Sequence, residues 1–115
     1  MSLTNITGLN VNFHVIVYSR DDRSDLEMIY SEFDIEVSGE LTVAILLANV
    51  LVGMEIDVDS PYRVDLVTKR PSHPECDELT NKQVGNPEWW NNTWDEDLKM
   101  CVIYANISSA ISSRL

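Results

Sequence analysis

Basic residues and glycine are both scarce in this chain of 115 residues, and each shortage argues against a class of function. The 8 Lys and Arg face 19 Asp and Glu, which gives a formal net charge of −11. Direct binding to nucleic acid or to an anionic membrane requires a basic surface, so we expect neither. The 4 glycines are widely separated, which argues against a glycine-rich phosphate-binding loop.

Cysteines and long apolar runs are also few. The chain has 2 cysteines, Cys76 and Cys101. The longest largely apolar stretch, residues 41–54, is too short to cross a bilayer. The N-terminal residues lack the basic segment and following apolar run that are typical of a signal peptide. We therefore expect a cytoplasmic protein whose cysteines are free thiols.

Motifs for catalysis or metal binding are missing as well. His73 and Cys76 have the spacing of half a zinc site, but a structural zinc site requires four ligands and no second pair exists. Nothing around His14 or Cys101 resembles a nucleophile elbow or a protease signature. The sequence therefore predicts no enzyme activity, no metal site and no cofactor.

What the chain does contain is two stretches in which apolar and acidic residues alternate, at residues 32–37 and 54–59. On a β-strand, this alternation directs the apolar side chains into a core and places the carboxylates in a row on the opposite face, about 7 Å apart. Such a row requires screening by water or by a cationic partner, because like charges repel. The predicted partner-binding residues are Glu32, Asp34, Glu36, Glu55, Asp57 and Asp59.

Period-two patterns predict further strands at 11–18 and 62–69. Residues 24–31 fit either a helix, through capping-box spacing, or a strand. A strand continuous with 32–37 requires a β-bulge near Ser31, because the alternation changes phase there. We favour the strand, paired with 11–18 as a hairpin.

Two helices are predicted. The first covers about 40–52, with Ser38 as its cap and Gly53 at its end, and it is apolar on nearly all sides. Such a helix is typically buried by a sheet and by another helix or subunit. The second runs from the capping box at 93–96 to about Ser113. A strand through 100–107 competes with it, since β-branched residues favour strands, but the cap favours the helix.

The densest aromatic cluster follows a polar loop predicted at 70–87. Trp89, Trp90 and Trp94 are candidate interface or ligand-binding aromatics, because tryptophan is enriched at interaction hot spots. The competing interpretation is a hydrophobic staple, in which a tryptophan before Thr93 packs against the last helix. We favour the staple for at least one ring.

These patterns together predict an α+β protein. Residues 1–10 are a flexible N-terminal segment, and residues 11–115 form a single domain. Its sheet is small, antiparallel or mixed, with three or four strands, and it is accompanied by a buried central helix and a C-terminal helix.

Two functions fit these features, beside the ordinary interpretation that an acidic face serves solvation. In the first, the protein is a small acidic inhibitor or decoy that occupies the nucleic-acid-binding surface of a basic protein partner through its carboxylate rows. Its composition, though no motif, is similar to that of phage-encoded anti-restriction and anti-CRISPR factors. In the second, it is an oligomeric binding or scaffold protein, a homodimer, that sequesters a small ligand near the tryptophans. The acidic surface fits a partner only if Asp34 and Asp57 share one exposed face.

Overall fold

The computed structural model describes residues 10–20, 27–38, 41–56 and 61–109. The predicted flexible segment 1–10 therefore lies outside the described residues, apart from Asn10. The structure is α+β, as the sequence predicts. Its sheet is mixed rather than wholly antiparallel, and the described residues contribute five strands to it rather than three or four. Its elements in chain order are β1 (Asn10–Arg20), β2 (Glu27–Ser38), α1 (Val43–Gly53), β3 (Tyr62–Val67), α2 (Asn81–Val84), α3 (Pro87–Thr93), β4 (Trp94–Asp95) and β5 (Met100–Ser109).

The strands lie in the order β2-β1-β5-β3, and β4 pairs with the start of β5. β1 is antiparallel to β2 and parallel to β5, and β5 is antiparallel to β3. Among the described strands, β2 is therefore an edge strand, whereas β1 and β5 lie at the centre of the sheet.

The hairpin of β1 and β2 contains the predicted β-bulge. Val17 lies opposite Ser31, but the next residue, Tyr18, lies opposite Ile29. Tyr30 is thus the extra residue, and it corrects the phase of the alternation as expected. Residues 27–31 form a strand, which confirms the strand prediction for this part of 24–31 over the helix. Residues 24–26 lie outside the described residues.

One face of the sheet is covered by the helices, and we call the opposite one the open face. Alternate residues of each strand point to each face. The covered face carries the core, which includes Phe13 and Val15 from β1, Val37 from β2, Leu66 from β3 and Ile103 from β5. Asn12, His14, Ile16 and Tyr18 of β1 have the opposite parity and belong to the open face, beside Glu32, Asp34 and Glu36 of β2.

Helix α1 crosses the covered face. At its start, the Val43 N–H donates to Asn81 Oδ1 of α2 at 2.8 Å. At its end, Gly53 lies so close to the ring of Phe33 that a Cβ at Gly53 would be 2.5 Å from it. The helix begins later than predicted because Thr42, rather than Ser38, is its cap and accepts a hydrogen bond from the Ile45 N–H at 3.2 Å.

Burial of α1 is one-sided within the chain. Leu46 and Val50 are fully buried against the sheet, but Val52 is 76% exposed, and Ala44 and Ala48 are also exposed. The second covering layer that we expected is not found among the described residues. No helix in the described part of the chain has the length and apolar character that a membrane span requires.

The predicted C-terminal helix is wrong, because residues 100–109 form β5 in the middle of the sheet. Cys101, Ile103 and Ala105 follow a period of two and are buried on the covered face. The apparent capping box has another role: the Asp95 carboxylate accepts hydrogen bonds from the N–H groups of Asp97 and Leu98 in the turn between β4 and β5.

Two short helices lie where the sequence predicted a loop, or predicted neither a helix nor a strand. α2 begins with a capping box between Thr80 and Gln83, and α3 begins with Asn86 as its cap. Trp90 of α3 is 1% exposed, packs on Phe13 with 5.3 Å between ring centroids and donates to the Val84 carbonyl at 2.8 Å. The staple is therefore wrong, since Trp90 anchors α3 to the sheet and no helix follows Thr93 within the described range 94–109.

Candidate functional site

The first acidic row lies on the open face of edge strand β2. Glu32, Asp34 and Glu36 alternate with the apolar residues Phe33, Ile35 and Val37, which belong to the covered face. The Glu32 and Asp34 side chains are 46% and 59% exposed, and Glu36 is exposed as well. The predicted geometry of this row is therefore correct.

His14 of β1 holds two of these carboxylates. Its Nδ1 lies 2.7 Å from Asp34 Oδ1, and its Nε2 lies 2.6 Å from Glu32 Oε2. The imidazole is 15% exposed. Because each ring nitrogen faces a carboxylate oxygen, both can donate only when the imidazole is protonated.

The surroundings of His14 favour the imidazolium. Burial is the largest single influence and lowers the pKa of His14, but the hydrogen bonds and charges of Asp34 and Glu32 together outweigh it and raise the pKa above its ordinary value of 6.5. The protonated ring neutralises part of the row. In the described part of the chain, Glu36 makes no ion pair.

The second acidic row does not form a strand where the structure describes it. Glu55 follows α1 in a left-handed turn with φ 59°, and its N–H donates to the Val52 carbonyl. Asp57 and Asp59 lie outside the described residues, so the condition that Asp34 and Asp57 share one exposed face stays a prediction. Glu55 therefore follows a helix on the covered face, whereas Glu32, Asp34 and Glu36 lie on the open face, so Glu55 does not extend the first row.

A cleft of about 660 Å³ lies between the loop after β3, helix α3 and the start of β5. Trp89, Trp94 and Tyr104 are among the residues that line it. Trp90 is not, because it is buried in the core, although its ring meets that of Trp89 edge-on at 5.1 Å. The structure thus brings two of the three predicted aromatics to one cavity.

Basic and acidic groups both line this cleft. Lys69 and Arg70 are exposed, and among the described residues neither makes an ion pair. Glu75, Asp77 and Asp95 also line the cleft. The cleft therefore combines flat aromatic walls with two cations available to an anionic group.

The two residues with the spacing of half a zinc site, His73 and Cys76, make local hydrogen bonds. His73 Nδ1 accepts from the Glu75 N–H at 3.0 Å, and Cys76 Sγ donates to the Lys69 carbonyl at 3.2 Å. No group of three or more His, Cys, Asp or Glu side chains in the described ranges is arranged to hold a metal ion. Burial raises the pKa of the Cys101 thiol, which disfavours its reactive thiolate.

His14 is the residue of this site that sequence reasoning missed. The sequence predicts only that His14 lies in a strand at 11–18. Its link to Glu32 and Asp34 follows only from the hairpin register, in which His14 lies directly opposite Asp34.

Comparison with protein-family models, curated proteins and solved structures finds no match for the chain.

Proposed function

We propose that this protein is a small cytoplasmic interaction protein, an inhibitor or decoy of the phage anti-defence type, that binds a basic, nucleic-acid-binding surface of a partner protein. The observation that supports this proposal is the row of exposed carboxylates on β2. Glu32, Asp34 and Glu36 share one face of one strand, and that strand lies at the edge of the sheet.

The physical case rests on charge geometry. Carboxylates at alternate strand positions form a regular negative line, about 7 Å from one to the next. Nucleic-acid-binding proteins present basic surfaces that match a negative line, and the net charge of −11 adds long-range attraction to them. Binding of this kind weakens as salt screens the charges.

Polylysine is a suitable probe, because it is basic and its binding to a negative surface such as duplex DNA weakens as salt is added. We expect the triple variant Glu32→Gln, Asp34→Asn, Glu36→Gln to bind polylysine about tenfold more weakly at low salt, since it loses three exposed charge pairs. The wild-type protein should also release DNA from polylysine in a competition assay.

The matched control removes three exposed charges elsewhere, through Glu75→Gln, Glu88→Gln and Asp97→Asn. It has the same net charge as the first variant and should change the affinity about twofold or less. Equal losses in both variants, or an affinity that stays constant from low to high salt, would contradict the proposal.

The cleft favours a second candidate, an oligomeric protein that sequesters a small ligand. Trp89, Trp94 and Tyr104 supply flat apolar surfaces, and Lys69 and Arg70 supply positive charge. These groups fit a ligand with a planar ring and an anionic group. A nucleoside monophosphate should then quench tryptophan fluorescence more strongly than the neutral nucleoside, and Lys69→Gln with Arg70→Gln should remove that difference.

A further inference from the structure

The outer edge of β2 carries backbone groups that can pair with another strand. β2 has 12 residues and pairs with β1 on one side. No strand in the described ranges pairs with its other side. In an antiparallel pair, every second residue turns its N–H and C=O away from the partner strand. The outer edge of β2 is therefore a row of hydrogen-bonding groups of the kind that captures extended peptides.

The two faces beside this edge differ in chemistry. The open face has the carboxylates of Glu32, Asp34 and Glu36. The other face has Phe33, which is half-buried and lies against Gly53 at the end of α1. A strand added to β2 would place one set of side chains beside the carboxylates and the alternate set beside Phe33.

The first part of β2 exposes large apolar side chains. Met28, Ile29 and Tyr30 are 64%, 56% and 53% exposed. These three residues precede Glu32 on β2 and lie along the same outer edge. A partner strand long enough to pass Glu32 in that direction would contact them.

A second copy of β2 does not suit this edge. Antiparallel pairing of two copies would place acidic side chains from both strands on one face of the joined sheet, and like charges at such positions are destabilising. A strand with basic side chains on that face would instead gain favourable cross-strand pairs.

We propose that the outer edge of β2 binds an extended segment of a partner protein as an additional strand, in which Lys or Arg residues alternate with apolar residues. This inference rests on the proposed function, because it assigns a conformation and a sequence pattern to the partner segment that the acidic row binds. The basic side chains face Glu32, Asp34 and Glu36, and the apolar ones lie beside Phe33.

The test uses fluorescent peptides and the full chain. The first peptide alternates Lys and Val, and the second has the same composition in an order without alternation. We expect the alternating peptide to bind about tenfold more tightly, because only it places every charge on the open face while its backbone pairs with β2. Amide hydrogen exchange should slow in β2 when this peptide binds.

Methylated peptides separate backbone pairing from charge attraction. A third peptide has the alternating sequence with a methyl group on the backbone nitrogen of every second residue, which blocks hydrogen bonding along one edge. A fourth peptide carries the methyl groups on the remaining residues, which blocks the other edge. An added strand uses one edge only, so one methylated peptide should lose about tenfold or more in affinity and the other should bind nearly as well as the parent.

The outcomes separate this inference from the proposed function. If the shuffled and both methylated peptides bind as tightly as the alternating one, strand addition is overturned while binding to a basic surface stands. If neither the peptides nor polylysine bind at low salt, both proposals are overturned. Slowed exchange in the loop after β3 rather than in β2 would also overturn strand addition.

Discussion

At the scale of single residues, His14 controls how much negative charge the β2 row presents. The imidazole lies between Glu32 and Asp34, and its neighbour on β5, Val102, is apolar. When the imidazole is protonated, it donates a hydrogen bond to each carboxylate and cancels part of their negative charge. Neutral, it can donate to only one of them.

This geometry predicts that the stability contributed by His14 declines as the pH rises. The pKa of His14 is raised in the folded state above 6.5, so its contribution is complete below about pH 6.5 and is lost as the pH passes the folded-state pKa. We expect His14→Gln to lower the free energy of unfolding by about 0.5–1 kcal/mol at pH 6, a modest loss because both carboxylates are half-exposed. Urea unfolding of both proteins from pH 6 to 9 measures this.

His73→Gln is the control for that experiment, since His73 lies in the loop after β3 and bonds only locally. The His73→Gln protein keeps the contacts of His14 with Glu32 and Asp34, so its stability should still decline with pH through His14. A His14→Gln difference that is constant from pH 6 to 9, or that grows with pH, would contradict the assigned role of the imidazolium.

At the scale of elements, the end of α1 is held by a non-glycine residue in a left-handed conformation. The Ile56 N–H donates to the Leu51 carbonyl, and the Glu55 N–H donates to the Val52 carbonyl. These two bonds form a Schellman motif, whose left-handed position is usually glycine. Here it is Glu55, with φ 59°.

The variant Glu55→Gly should therefore stabilise the protein. Glycine adopts a positive φ without the steric cost that a Cβ brings, and we expect a gain of about 0.5–1 kcal/mol in the free energy of unfolding. Thermal and urea denaturation at one pH measure this gain. An unchanged or lower midpoint would show that the glutamate side chain compensates for the strain.

Gly53→Ala tests the same helix end in the opposite direction. Alanine is the better helix former, but its Cβ would lie 2.5 Å from the ring of Phe33. We expect destabilisation of about 1–2 kcal/mol, since the overlap outweighs the gain in helix propensity. A stabilised Gly53→Ala protein would mean that the Phe33 ring moves aside without cost.

The elements also mark how far the sequence predicts this fold. In β2, the change of phase at Ser31 is local, so it predicts the bulge correctly. In β5, helical and strand periodicities both fit, and the parallel pairing with β1 decides between them. That pairing joins residues far apart in the chain, so no local pattern contains it. The caps of α2 and α3, in contrast, were present in the sequence at Thr80 and Asn86.

At the scale of the whole molecule, charge and apolar surface are separated. The carboxylate row lies on the open face, whereas the outer side of α1, on the covered face, presents Ala44, Ala48 and Val52 to solvent. Residues 41–54 contain no charged side chain. A second copy can pack against this helix without covering the acidic row, so a homodimer and a basic partner are compatible.

We therefore predict a homodimer formed through α1, in sedimentation equilibrium at several concentrations. Added salt should strengthen the dimer, because it screens the repulsion between two chains of net charge −11, whereas it should weaken binding to a basic partner. Ala48→Glu should give a monomer that retains its circular dichroism, since a carboxylate in the interface would lose its hydration. Asn91→Glu, which adds the same charge on the exposed side of α3, should leave the dimer intact. If the wild-type chain sediments as a monomer at every protein and salt concentration, α1 does not form a dimer interface. The proposed binding of a basic partner by the carboxylate row of β2 does not depend on that outcome, because a monomer presents the same row.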